Sequence, residues 1–351
     1  MKKVLLGMSG GVDSSVAAIL LKEQGYEVYG STMELYPNSS CCNLETYMDA
    51  KRVCSTLGFS HHIIDSKEEF RKYVIEDFIE SYKSCETPNP CIECNKYMKF
   101  GIMFEKAKEQ GIDYVSTGHY AKVEYSDKYK RYVLKKSKNI VKDQTYFLYK
   151  IPKEVLEYTL FPLGDFESKD EIRKIAASYG FSVASKKDSE DLCFAPEGSY
   201  KEFLNKNNVK GRPGNIINNQ GEVLGKHQGL INYTIGQRKG LGISYSEPLF
   251  VIGFDRIKNN LIVGTKKELL KKEFYVRDIN LLLVDDIKEP MKVNVKTRYT
   301  IKEFPCTITK EDNDKIKVVL DEPVPGICPG QSAVFYLDDI VVGGGRIIKD
   351  I

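Results

Sequence analysis

Strand-like and helix-like segments alternate through the first 120 residues of this 351-residue chain, and that alternation constrains its fold more than any other feature. Short apolar runs predict strands over Lys3–Gly7, Glu27–Met33, His61–Ile64 and Tyr114–Thr117. Longer periodic stretches predict helices over Asp13–Gln24 (closed by Gly25), Leu44–Leu57, Phe70–Tyr82 and Lys96–Gln110. Parallel strands need long crossover connections, which helices supply, so the pattern specifies an α/β domain with a parallel sheet. Tyr120–Lys136 reads as a hairpin turning at Ser126-Asp127-Lys128, and helical patterns return at Lys153–Tyr158 and Ser168–Tyr179. Beyond residue 200, Gly-Arg-Pro-Gly, Asn-Asn-Gln-Gly and Gly-Leu-Gly cut the chain into short pieces. From Glu273 onward, period-2 runs such as Tyr275–Ile279, Met291–Tyr299 and Ile316–Leu320 predict a small barrel or sandwich. The expected division is an α/β domain over 1–198, a small middle domain over 199–270 and a β-rich domain over 271–351.

With 42% apolar and 29% charged residues the chain is too apolar for disorder. No apolar run reaches the roughly 18 residues that span a bilayer. The apolar start meets Ser9-Gly10-Gly11 too early for a secretory signal. A cytoplasmic protein with no membrane partner is expected. In that compartment nine cysteines read as thiols rather than as a disulfide framework. The net charge of +3 hides two basic segments: residues 122–142 hold eight Lys/Arg against two acids, and residues 201–240 hold seven against two. Either a polyanion contacts both, or they are solvated lysine-rich loops.

Ser9-Gly10-Gly11-Val12-Asp13-Ser14-Ser15 leaves the first strand and opens the first helix. Backbone N–H groups and a helix N-terminus hold phosphate at such a place. Glycines let the main chain approach the anion, serine hydroxyls donate to it, and Asp13 could favour the helix start or hold Mg²⁺. No lysine follows, so this is not a Walker-type loop, and the near match at Gly221–His227 lacks the Ser/Thr. The loop resembles the pyrophosphate loop of the ATP pyrophosphatases, which cleave ATP to AMP and pyrophosphate while adenylating a substrate. That resemblance implies a Rossmann-like N-terminal domain and a reaction type without a substrate.

Cys91 and Cys94 sit in Thr87-Pro88-Asn89-Pro90-Cys91-Ile92-Glu93-Cys94-Asn95, and Cys193 in a later Cys-Phe pair. The prolines predict a rigid loop, which would put Cys94 at the onset of the following helix, where the dipole favours thiolate. By itself the pair is a redox couple, half a metal site, or two packed thiols. Four further motifs stand in order with it: Thr117-Gly118-His119-Tyr120, Lys142-Asp143-Gln144-Thr145-Tyr146, Lys187-Asp188-Ser189 with Cys193-Phe194, and Thr234-Ile235-Gly236-Gln237-Arg238-Lys239-Gly240. Together, over essentially the whole chain, they resemble the tRNA-specific 2-thiouridylase family. The resemblance implies an N-terminal ATP-pyrophosphatase domain, a small middle domain and a C-terminal β-barrel.

It also implies ATP-dependent thiolation of the wobble uridine in the tRNA anticodon stem-loop. O2 would be adenylated, and sulfur would then arrive from a persulfide on Cys193, with Cys94 attacking that persulfide or accepting the resulting disulfide. ATP with Mg²⁺ would be held by Gly7, Met8, Ser9, Gly10, Gly11, Val12, Asp13 and Ser14, with Met33 and Gly118 lining adenine and ribose. Asn89, Pro90, Cys91, His119, Lys142, Asp143, Gln144, Arg298, Tyr299 and Gln331 would contact tRNA. A sulfur donor such as a cysteine desulfurase or relay protein is implied upstream. Many family members carry an aspartate where this chain has Cys91, so Cys91, Cys94 and Cys193 could instead ligate an iron–sulfur cluster that carries sulfide. Another pyrophosphate-loop RNA ligase and a non-catalytic tRNA-binding iron–sulfur protein are the competing readings. His61, His62 and His227 read as structural or loop residues, and Cys41, Cys42, Cys54, Cys85, Cys306 and Cys328 as packing or incidental thiols.

Overall fold

The computed structural model of the chain describes residues 1–37, 43–186, 192–195, 200–312 and 314–349. Cys41, Cys42 and Lys187-Asp188-Ser189 lie outside them. The first strands are β1 (Lys3–Gly7), β2 (Glu27–Glu34), β3 (His61–Asp65) and β4 (Tyr114–Thr117). They are followed by the hairpin β5 (Ala121–Ser126) and β6 (Arg131–Lys136) and by the short β7 (Thr159–Leu160). The N-terminal sheet has the order β3-β2-β1-β4-β7 and is parallel throughout. β1 has β2 on one side and β4 on the other, so the strand order reverses at its C-terminal end, where ligands bind in open α/β sheets.

Helices α1 (Val12–Glu23) and α2 (Leu44–Leu57) follow β1 and β2. The third helix, α3 (67–83), is continuous through a π-helical turn at Arg71–Ile75. The fourth, α4 (90–109), has a longer π-helical stretch at Cys94–Ile102. Pro90 does not keep this segment as a loop. With its φ preset and no N–H to lose, it stands at the first helical position behind Asn89. The helix therefore starts before Cys91, and Cys94 lies a full turn in rather than at the onset, past most of the dipole's reach.

Side chains alternate across β1. Val4 and Leu6 join Val16, Ile19 and Leu57 in one core, while Leu5 faces Phe78, Phe100 and Met103 in the other. This second core continues through Tyr146, Leu148, Tyr149 and Ile151 into Leu282, Val334, Tyr336 and Val341 of the C-terminal domain. Each such apolar side chain contributes about 1.5–3 kcal/mol on burial, so this joint is a shared core.

The middle domain is a four-stranded sheet of β8 (Gly214–Ile217), β9 (Val223–His227), β10 (Phe250–Asp255) and β11 (Asn260–Gly264), in the order β10-β11-β8-β9. His227 is no loop residue: it is buried at the end of β9, between the Asn259 carbonyl and the Gly229 N–H. The C-terminal strands are β12 (Leu270–Leu281), β13 (Met291–Lys296), β14 (Phe304–Asp312), β15 (Lys315–Pro325), β16 (Ser332–Leu337) and β17 (Ile340–Ile348). The pairing of β12 with both β15 and β17 closes them into a six-stranded antiparallel barrel. The β5–β6 hairpin of the N-terminal region extends that barrel sheet through Ile340 against Lys135. β13 ends at Lys296, so Arg298 and Tyr299 lie in the turn beyond it rather than on a strand.

Candidate active site

The loop after β1 is shaped by close backbone approach. Gly10 has φ +65°, and a Cβ there would lie 2.3 Å from the Thr46 carbonyl of α2. Gly11 is the extended N-cap of α1. Ser14 Oγ lies 3.3 Å from both the Ser9 N–H and Ser9 Oγ, and also donates to the Gly11 carbonyl. Met8 and Val12 turn their side chains into the core, so only their backbones face the loop. Met33 is likewise a buried core residue at the end of β2.

Asp13 is fully engaged. One carboxylate oxygen accepts from Tyr120 OH at 2.8 Å, and the other pairs with Lys169 Nζ at 3.0 Å. Among the described residues no three His, Cys, Asp or Glu side chains converge as metal ligands. Asp13 thus braces the start of α1 against Tyr120 and Lys169. The sequence does not show that Tyr120 and Lys169 brace Asp13, because they lie 107 and 156 positions away from it.

Gly118 and His119 connect this loop to the thiols. A Cβ at Gly118 would lie 2.7 Å from the Ser14 nitrogen, so the end of β4 rests on the first turn of α1. His119 Nδ1 is 2.7 Å from Thr117 Oγ1, and its Nε2 is 3.5 Å from Lys99 Nζ on α4. An ammonium can only donate, so Nε2 accepts and the imidazole proton resides on Nδ1. Burial, and then Lys99, hold the imidazole pKa well below 6.5, so His119 is neutral. Lys99 also draws down the Cys91 thiol, but burial outweighs it and the net shift is upward. Cys91 itself keeps solvent-accessible surface.

Cys94 and Cys193 both pack against the edge of the same core, where Phe194 is held among Tyr36, Phe70, Phe78 and Phe203. Among the described residues, Cys91, Cys94 and Cys193 do not converge as a group of metal ligands.

The residues expected at tRNA divide into two kinds. Asp143 is buried, accepts from the Ser137 N–H and Thr145 Oγ1, and has no face for RNA. Gln144 accepts the Tyr120 N–H at 3.0 Å, which ties its loop to the strut on Asp13. Gln331 donates from the barrel to the Thr87 and Pro88 carbonyls at the entry to α4. Arg298 donates to the Ile235 carbonyl of the middle domain while its Nε is buried with no partner, and Tyr299 lies against Phe147 at 4.5 Å. Lys142 and Asn89 are half-exposed, whereas Pro90 is buried.

The two basic segments also differ. Within 122–142, Lys122, Lys130, Arg131, Lys135, Lys136 and Lys138 all pair with acids, including Asp165, Asp285, Asp339 and Glu303 from outside the segment. Its charge is largely answered within the fold. In the middle domain Lys210, Arg212, Arg238 and Lys239 are exposed and enter no ion pair among the described residues.

Comparison with known proteins agrees with this geometry across the whole chain. The family described as "tRNA methyl transferase HUP domain" matches residues 2–197, a PRC-barrel family of the same series matches 201–265, and an aminomethyltransferase β-barrel family matches 271–347. A "tRNA-specific 2-thiouridylase MnmA" of Clostridioides difficile is 46% identical over 100% of this chain and 99% of that protein. One from Acetivibrio thermocellus is 45% identical over 99% of each, and one from Halothermothrix orenii 44% identical over 100% and 99%. A solved 4-thiouridine synthetase–RNA complex with bound ATP aligns at TM-score 0.41 and 19% identity over 58% of this chain and 49% of that one, too loosely to carry any statement about this chain. With three family models matched in order and relatives 44–46% identical over nearly the whole chain, the chain belongs to the tRNA-specific 2-thiouridylase family.

Proposed function

We propose that this protein is an ATP-dependent tRNA-uridine 2-sulfurtransferase acting on the wobble position of the anticodon stem-loop. One observation carries the reading: Gly118-His119 rests on the phosphate loop at Ser14 on one side and reaches Lys99 of the thiol helix on the other. In this reading adenylation and sulfur transfer take place side by side.

In the first step uridine O2 attacks the α-phosphorus of ATP. Pyrophosphate leaves, and O2 becomes part of an AMP ester, a far better leaving group than the free oxygen. The backbone of Ser9–Ser14 and the start of α1 receive the phosphates, and Mg²⁺ arrives on them as part of the nucleotide substrate. In this reading Lys99 supplies positive charge to the departing phosphate, and neutral His119 beside it holds its ammonium without competing for the proton. In the second step the terminal sulfur of a Cys193 persulfide attacks C2 and AMP departs. Cys94 then attacks Cys193 Sγ, which breaks the S–S bond to the transferred sulfur, releases 2-thiouridine and leaves a Cys94–Cys193 disulfide. An external dithiol resets that disulfide. A cysteine desulfurase or relay protein charges Cys193. Exposed Lys210, Arg212, Arg238 and Lys239 of the middle domain hold the tRNA backbone, and Tyr299 offers a ring for an unpaired base.

The test is purified protein with ATP, tRNA and a desulfurase–cysteine sulfur source. Expected are tRNA-dependent pyrophosphate release and 2-thiouridine detected by nucleoside mass spectrometry. Pyrophosphate release indifferent to tRNA, with no thionucleoside formed, would refute the reading.

A further inference from the structure

Residues 145–151 lie between α4 and the barrel and are bonded to both. Toward α4, Lys150 Nζ donates to Glu93 Oε1 at 2.6 Å, and Asn95 Nδ2 donates to the Phe147 carbonyl at 3.0 Å. Glu93 and Asn95 are the two neighbours of Cys94. Toward the barrel, Lys150 also pairs with Asp278 of β12, and Tyr146 OH donates to the Ser332 carbonyl at 3.0 Å. Asn280 Nδ2 donates to the Tyr149 and Ile151 carbonyls at 2.7 and 2.9 Å, gripping the peptide on either side of Lys150.

The Lys150 side chain is only 3% exposed and that of Glu93 12%, so this is an interior ion pair. Burial by itself would favour the neutral amine, but Tyr149, Glu93 and Asp278 more than offset it and Lys150 stays charged. Asp278 has φ +52°, a left-handed backbone that non-glycine residues rarely adopt. It lies where the β12–β17 register shifts between Arg277 and Asn280. Such an irregularity re-aims a side chain, and here it aims a barrel carboxylate at a cation of the N-terminal domain.

We propose that Lys150 is a positioning residue that sets the Glu93–Cys94 turn of α4 against the barrel. Apolar contacts across this joint exclude water but allow sliding, whereas a lysine held between two carboxylates admits one register. RNA contacted by the barrel turn at Arg298–Tyr299 is then presented at a fixed distance from the Cys94 thiol. The inference rests on the assignment of Cys94 to sulfur transfer.

Three variants test it: Lys150→Met, the double variant Glu93→Leu/Lys150→Met, and Asp278→Asn. Lys150→Met leaves Glu93 buried and unpaired, so its Tm should fall. The double variant removes both charges, and apolar replacement of a buried pair is often neutral for stability. Its Tm should largely recover, while single-turnover thiolation stays about 10-fold or more below wild type, because misplacement by about 1 Å can cost about 100-fold. Binding of tRNA should change by less than about 2-fold, since no phosphate-binding cation of the middle domain is removed. Asp278→Asn cuts only the barrel end of the link at a half-exposed residue and should lose rate without losing the fold. Wild-type single-turnover rates in a folded double variant, or in Asp278→Asn, would overturn the proposal. Iodoacetamide labelling of Cys94, followed by peptide mass spectrometry, reads the thiol's setting without the reaction. Labelling rates in Asp278→Asn that match wild type would overturn the proposal even if wild-type protein failed to thiolate tRNA, which would refute the functional assignment separately.

Discussion

The Cα of Gly118 faces the backbone nitrogen of Ser14 so closely that a methyl group added to it would lie 2.7 Å from that atom and 2.8 Å from the Asp13 carbonyl carbon. Neither is the end of a flexible side chain, so Gly118→Ala must push the first turn of α1 away from β4. Overpacking of this kind costs about 1–3 kcal/mol, and here the displaced atoms are the phosphate-binding ones. Calorimetric titration with ATP should show binding weakened at least about 10-fold, the equivalent of about 1.4 kcal/mol. Gly253→Ala in β10, outside the phosphate loop, is the contrast, since a Cβ there would meet only Ile262 at 3.6 Å. ATP binding by Gly118→Ala equal to that of Gly253→Ala would contradict this account.

The three thiols should separate by function. Cys94→Ser and Cys193→Ser are expected to abolish thiolation while leaving tRNA binding within a few-fold of wild type. Cys91→Ser should retain most activity, because its raised thiol pKa keeps Cys91 protonated and a poor nucleophile. Anaerobically purified protein assayed for iron and labile sulfide should be active without either. Loss of activity in Cys91→Ser, together with stoichiometric iron, would replace persulfide chemistry with a cluster.

Salt dependence should distinguish the two basic segments. Each cation that neutralises a phosphate contributes a slope of about −0.7 to −0.9 in log K against log salt. Arg238→Ala or Lys239→Ala in the middle domain should weaken tRNA binding and flatten that slope by nearly one contact. Lys122→Ala or Lys135→Ala should leave the slope unchanged, since Asp165, Glu124 and Asp339 already answer those charges. Filter binding across a salt series decides the matter, and equal slopes for all four variants would count against this division.

Acid should destabilise the protein through its histidines. Burial lowers the pKa of His119, His61 and His227 in the folded state. The unfolded chain, whose histidines titrate near 6.5, therefore takes up protons first. Their contribution is complete above about pH 6.5 and is lost progressively as pH falls toward the depressed folded values. Tm should drop between about pH 7 and 5.5, and His119→Asn should make that drop shallower. An unchanged slope in His119→Asn would mean that another group governs the acid limb.

Features that depend only on neighbours along the chain are legible in its sequence. Period-2 and period-3.6 patterns located β1, β4 and α2 to the residue, because alternation and helical spacing are local properties. The Ser9–Ser14 loop was legible because its glycines, hydroxyls and helix start are consecutive. Pro90 is ambiguous in the sequence, because proline ends a helix from within but begins one readily, and only the preceding backbone decides which. Tertiary structure alone decided which charges are free. A run of lysines looks the same in sequence whether or not Asp165, Asp285 and Asp339 fold back against it. It also chose Tyr120 and Lys169 as the struts of Asp13, joined the β5–β6 hairpin to the barrel, and buried Lys150 between Glu93 and Asp278. These contacts link residues dozens to hundreds of positions apart. No local pattern encodes them, because only chain closure brings their partners within range.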